Sequence, residues 1–232
     1  MYVEIKDIIK SYGTADNRTE VLHGITCGVE KGTICVLLGP SGSGKSTLLN
    51  IIGGIETVDS GTIRIGEDEI IGLKESQLSN YRRHHLGYVF QSYNLISNLT
   101  AKENIEVGAY LADDPLDVDE LLHVLGLWEH RNKMPNQMSG GQQQRTAIGR
   151  AVAKKPDLLL CDEPTGALDY NTSKEILKLI EDVNERYGTT VLLVTHNDAL
   201  KLMAHQTIIL RDGRIRENLY NQTRIPAAEL EW

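Results

Sequence analysis

The stretch Gly39-Pro40-Ser41-Gly42-Ser43-Gly44-Lys45-Ser46-Thr47 narrows the possible folds more than any other part of the chain. It has the form G-x-x-x-x-G-K-S and lies between the apolar run Ile34 to Leu38 and the helix-compatible Ser46 to Ile52. A buried strand must therefore turn directly into a helix. Glycine lets the backbone fold back with several N–H groups aimed at one anion, and the opening helix adds its positive dipole end. Polyphosphate is the natural occupant of such a cradle, built here from Gly39, Ser41, Gly42, Ser43, Gly44 and Thr47, with Lys45 reaching the outer phosphates. The Ser46 hydroxyl is then a ligand for the magnesium that accompanies ATP or GTP.

A strand, loop and helix of this kind belong in an α/β domain. Apolar runs at Leu158 to Cys161, Val191 to Val194 and Thr207 to Leu210, with a helical pattern over Ser173 to Tyr187, predict a parallel sheet with crossovers. Tyr2 to Ile9 and Val21 to Val29, separated by a polar loop from Gly13 to Glu20, precede the phosphate loop, and the short strand Thr62 to Ile65 follows it. These predict a small antiparallel sheet appended to the parallel one. Glu75 to His85 reads as a helix and Gly87 to Phe90 as a strand ending on Gln91. From Ser92 to Gln137 strand signal gives way to amphipathic helices at Ala101 to Leu111 and Val118 to Leu125.

The formal net charge is −8, from 24 Lys and Arg against 32 Asp and Glu, which argues against nucleic acid as a partner because counterion release needs a basic face. The one dense basic cluster, Arg82-Arg83-His84-His85, fits a solvated helix end. No apolar run approaches the roughly 18 residues that cross a bilayer, and Met1 to Ile5 lacks a signal-peptide layout, so a cytoplasmic chain is expected. Cys27, Cys35 and Cys161 are widely spaced among apolar residues and are expected as buried free thiols.

Two further stretches carry chemistry. Leu158 to Cys161 ends in Asp162-Glu163, and beside a phosphate loop the first carboxylate can hold magnesium through water while the second deprotonates an attacking water. Glu163 is thus the candidate catalytic base. Ser139-Gly140-Gly141-Gln142 opens a helix running to about Val152, and a serine cap followed by two glycines makes a second anion site.

With these residues in hand the chain resembles, over nearly its whole length, the nucleotide-binding subunit of an ABC (ATP-binding cassette) transporter. Gly39 to Thr47 matches Walker A, Leu158 to Glu163 Walker B, and Met138 to Gln142 the signature, with Met where Leu is usual. Gln91 stands at the place of the Q-loop glutamine, Ala167-Leu168-Asp169 at the D-loop, His196 at the switch histidine, and Tyr12 at the aromatic that stacks on adenine. The resemblance implies one P-loop NTPase domain over residues 1–232, with a RecA-like mixed parallel core plus antiparallel β subdomain (about 1–90 and 155–220) and a helical signature subdomain (about 92–153). It implies ATP and Mg2+ as ligands, with Ser46, Gln91 and Asp162 around the metal and His196 touching the γ-phosphate or holding Glu163. It also implies a head-to-tail homodimer in which Ser139, Gly140 and Gly141 of one copy close over the nucleotide held by Lys45 of the other, while Asp169 signals between the sites.

Gly39 to Glu56, Tyr81 to Ile105 and Met138 to Asp169 are most similar to the macrolide-export, lipoprotein-release and cell-division branch. Partners there are permeases with few transmembrane helices and a large extracytoplasmic domain, so the chain would sit peripherally on the inner face of the membrane. Tyr93, Leu95, Ile96 and Leu99 are candidates to dock the permease, or to form the subdomain's own core. ATP-driven export or extraction is the leading reading. A regulatory or force-transmitting ATPase without cargo, and a soluble ABC ATPase, are the competing ones. Two departures stand out: Gly149 inside the signature helix, expected to cost about 1 kcal/mol relative to Ala, and Cys161 before Asp162.

Overall fold

The strand predicted at the N-terminus is longer than its pattern. Strands β1 (Val3–Tyr12) and β2 (Thr19–Val29) pair antiparallel, with Val3 opposite Val29 and Tyr12 opposite Thr19. The computed structural model describes residues 1–14 and 17–232; positions 15 and 16, in the predicted polar loop, lie outside the described residues. Every residue of β3 (Ile34–Leu38) is buried, as a parallel strand covered on both faces requires. It feeds helix α1 (Lys45–Ile52). Strands β4 (Ser60–Ile65) and β5 (Asp68–Glu69) complete an antiparallel sheet of order β2-β1-β4-β5.

After α2 (Glu75–His84) and β6 (Leu86–Val89) come α3 (Ala101–Ala109), α4 (Val118–Val124) and α5 (Gly140–Val152). The chain then alternates through β7 (Leu158–Asp162), α6 (Tyr170–Tyr187), β8 (Thr190–Thr195), β9 (Gln206–Arg211) and β10 (Arg214–Tyr220). The second sheet has the order β10-β9-β3-β8-β7-β6, parallel except for the β9–β10 hairpin, so it is mixed as expected. Helix α6 begins three residues before its apolar pattern does. Asp169 caps it, accepting from the Thr172 N–H at 3.1 Å, and polar Tyr170-Asn171-Thr172 adds no periodicity.

β3 divides the interior. Ile34, Val36 and Leu38 face a core shared with α3 to α6, whereas Cys35 and Leu37 face a second core against α1 and the antiparallel sheet. Cys35 and Cys161 are buried and Cys27 half-buried, all three free; burial pushes the Cys27 thiol up to about 12. The basic run at the end of α2 is more than solvated. Arg82 donates to the Gly54 carbonyl at 2.7 Å and pairs with Glu75, Arg83 donates to the Leu111 carbonyl at 2.9 Å, and His85 meets Asp157 at 2.9 Å.

The expected penalty at Gly149 is corrected by its surroundings. A Cβ there would lie 2.5 Å from Leu125 Cδ1 and 2.9 Å from Ile105 Cδ1, so the missing side chain lets α5 pack closely against the insertion. Its counterpart is Gly108 on α3, where a Cβ would come within 2.0 Å of the Arg150 carbonyl oxygen. That neighbour is backbone and cannot rotate away. Gly108→Ala is therefore expected to destabilise the fold by about 2 kcal/mol or more, since overpacking outweighs the roughly 1 kcal/mol of helix propensity that Ala returns. Urea unfolding measures this, and an unchanged midpoint would contradict the close crossing.

Candidate active site

β3 ends at the glycine-rich loop, and α1 starts on Lys45 with Gly44 as its N-cap at φ 99°, a left-handed conformation that glycine adopts without strain. At Gly39 a Cβ would sit 2.1 Å from the Leu210 carbonyl oxygen, so the loop hugs β9. Lys45 is buried, and its ammonium donates to the Gly39 and Pro40 carbonyls at 2.8 and 2.9 Å. The Ser43 hydroxyl is buried with no hydrogen-bond partner. A buried cation held by carbonyls alone and an orphaned hydroxyl in one loop fit a polyanion.

The loop floors a cavity of about 810 Å3 bordered by Tyr12, Ser41, Gly42, Gly44, Lys45, Ser46, Thr47, Gln91, Glu163 and His196. Sheet order explains the convergence. β7 and β8 are adjacent parallel strands, β8 adjoins β3, and ligands bind where the carboxyl ends of such strands emerge together. Asp162 closes β7 and accepts from the Ser46 hydroxyl at 3.0 Å. Burial raises its carboxyl above the ordinary range, opposed by that hydrogen bond and by Lys45. Ser46 and Asp162, in contact, and Gln91, which lines the same cavity as Ser46, carry the hard oxygen donors that Mg2+ takes. No cluster of three or more His, Cys, Asp or Glu with metal-holding geometry exists among the described residues.

Glu163 has φ 46°, its N–H donating to the Val194 carbonyl at 3.0 Å, and this turn swings its side chain toward the end of β8. There Oε1 meets His196 Nδ1 at 2.9 Å. Tyr12 is 41% exposed at the cavity edge, its hydroxyl 3.4 Å from Thr47 Oγ1 and its ring 5.0 Å from the Lys10 ammonium. Burial is the main cause of its raised pKa.

Ser139, Gly140, Gly141, Gln142 and Asp169 do not border this cavity. Ser139 caps α5, accepting from the Gln142 N–H at 3.3 Å while Gln142 Oε1 accepts from the Ser139 N–H at 3.0 Å. A Cβ on Gly141 would meet Thr172 Cγ2 at 2.5 Å, which sets the start of α5 against the start of α6, where Asp169 caps. Gly39 and Ser43 serve the loop from within. Sequence reasoning missed Val21, which lines the cavity from β2 and carries no local signal, and Pro40, which lies inside the loop already identified. It also missed Arg150. This guanidinium reaches from α5 to the Tyr93 and Asn94 carbonyls at 3.0 and 2.6 Å, fastening the turn after Gln91.

A family model described as ABC transporter matches residues 22–166. The chain belongs to the ABC transporter family. It is 39% identical to the bacitracin export ATP-binding protein of Halalkalibacterium halodurans over 94% of this chain and 88% of that protein. It is 41% identical to the macrolide export ATP-binding/permease protein of Escherichia coli over 93% of this chain but 34% of that protein. An ABC transporter ATP-binding protein of Mycoplasma pneumoniae is 41% identical over 99% of this chain, which spans 50% of its length. A dimeric ATP-binding cassette solved in a post-hydrolysis state with ADP and Pi superposes with a TM-score of 0.86 at 36% identity, over 94% of this chain and 98% of that one. As a cassette of this ABC family the domain binds and hydrolyses ATP, and its two sheets and helical insertion are the family's α/β fold. No helix among the described residues is long and apolar enough to cross a membrane.

Proposed function

We propose that this chain is the nucleotide-binding subunit of an export or extraction system, one cassette of core, β and helical subdomains that hydrolyses Mg2+-ATP as a head-to-tail homodimer. The observation that carries this reading is the separation of two anion sites. The phosphate loop, Glu163 and His196 share one cavity, whereas Ser139, Gly140 and Gly141 do not border it, an arrangement that supports their serving a second copy. In each site Gly39 to Thr47 cradles the phosphates, Lys45 turns its ammonium to them, and Tyr12 offers its ring to the base. Ser46, Asp162 and Gln91 would hold Mg2+, which when bound neutralises charge on the phosphate oxygens. Glu163 takes the proton of the attacking water, and His196 holds the carboxylate through the 2.9 Å contact. Gln142 fixes the Ser139 cap, and Asp169, beside it, communicates between the sites.

The names of the bacitracin and macrolide export relatives support a permease partner; the reading proposed here gives that partner few transmembrane helices and a large extracytoplasmic domain and puts this chain at the inner face of the membrane. A groove of about 380 Å3 lies between core and insertion, lined by Ile55, Phe90, Val107, Leu111, Arg150 and Lys154 among others, with no carboxylate. Tyr93, Leu95, Ile96 and Leu99 do not line this groove, and the docking surface proposed here is the groove. Ile55 is 51% and Leu111 40% exposed, and burial depresses the Lys154 ammonium to about 8. Pull-down from membranes is expected to recover an integral membrane protein with the wild-type chain and to lose it with Leu111→Asp of unaltered circular dichroism. Recovery of soluble proteins alone would overturn the reading.

A further inference from the structure

We infer that residues 221–232 form a strap that positions the Glu163–His196 pair and Asp169 for hydrolysis, an inference that rests on the function proposed above. Leaving β10, the strap first grips the short turn Asp198–Leu202. Asn221 Nδ2 donates to the Lys201 and Ala204 carbonyls at 2.7 and 2.8 Å, and the Ile225 N–H donates to the Leu202 carbonyl at 2.9 Å. It then crosses α6. The Ala227 N–H donates to buried Glu181 Oε2 at 3.0 Å, and Ala227 and Leu230 are 0% and 1% exposed. Finally it reaches the first residue of α6, where the Tyr170 hydroxyl donates to the Leu230 carbonyl at 3.2 Å and the Tyr170 and Trp232 rings stand 4.8 Å apart at 56°.

Both gripped segments lead directly into site residues. The turn Asp198–Leu202 is capped by Asn197, whose own N–H donates to Thr195 Oγ1 at 3.1 Å, and His196 lies between these two. On the other side Tyr170 follows Asp169, and the intervening stretch is stiffened by Gly166 N–H to Glu163 carbonyl at 3.0 Å and Leu168 N–H to Thr165 carbonyl at 3.1 Å. A fastening between the two segments therefore fixes how Glu163 and His196 face each other, although no strap residue borders the cavity. Tyr170 and Trp232 are positioning residues, not catalytic ones.

Steady-state ATPase and nucleotide-binding titrations of Trp232→Ala, Trp232→Phe and Tyr170→Phe test this. Trp232→Ala is expected to lower kcat about fivefold or more with KM and ATP affinity within about twofold of wild type, and Trp232→Phe to restore kcat. Tyr170→Phe, which keeps the ring and loses one hydrogen bond, is expected to lower kcat by about twofold. An unchanged kcat in Trp232→Ala, or a kcat loss matched by lost ATP affinity, overturns the strap. The Glu163→Gln variant run alongside separates the two levels. If it abolishes hydrolysis while the strap variants are neutral, the proposed function stands and this inference falls; if it hydrolyses ATP normally, both fall.

Discussion

Glu163→Gln is expected to lose about 10²–10⁴-fold in kcat while still binding ATP, the range for removal of a general base. Glutamine keeps the size of the side chain and a hydrogen-bond acceptor for His196 Nδ1, now 2.9 Å from the carboxylate, so the local turn is preserved. What it removes is the capacity to accept the proton of water. In the proposed homodimer hydrolysis is also the step that releases the two copies, so ATP should drive this variant into a persistent dimer in gel filtration. Wild-type turnover would remove Glu163 from the base role and, with it, the Walker B assignment.

Lys45→Ala should fail one step earlier. The buried ammonium spends its donors on the Gly39 and Pro40 carbonyls, a neutral pairing that it can exchange for phosphate oxygens. Charge-assisted hydrogen bonds contribute roughly 1.5–3 kcal/mol, so ATP affinity should weaken about tenfold to a hundredfold or more. The variant should show little thermal stabilisation at ATP concentrations that stabilise the wild type. ATP titration followed by fluorescence or calorimetry checks this, and unaltered affinity would place the phosphates elsewhere.

The parts of this site legible in the sequence are those whose chemistry is local. A phosphate loop is a run of backbone conformations, and Asp162-Glu163 follows from an apolar strand that stops, so both could be placed before any folding. Contacts made by the sheet were not legible. Val21 reaches the cavity because β2 folds back over the loop, and nothing near it in the sequence differs from an ordinary strand residue. Arg150 carries no local signal in the sequence; burial lowers its pKa and two carbonyls of the Gln91 turn occupy its guanidinium. Gly149 was misread for the same reason: a propensity scale measures a lone helix, whereas here Leu125 and Ile105 fill the space. Element ends shifted by a few residues where caps, not periodicity, set them, as at Asp169.

The close crossing at Gly108 has a mechanical consequence. With the α3 backbone resting on the Arg150 carbonyl, little compressible side chain lies between the two helices at that point. Helix α5 then has the form of a rod about 20 Å long, with Arg150 in the groove proposed for the permease at one end and Ser139 at the other. On the docking proposed above, a sideways load on the groove would reach Ser139 as a tilt of the whole rod, without any change in the secondary structure between them.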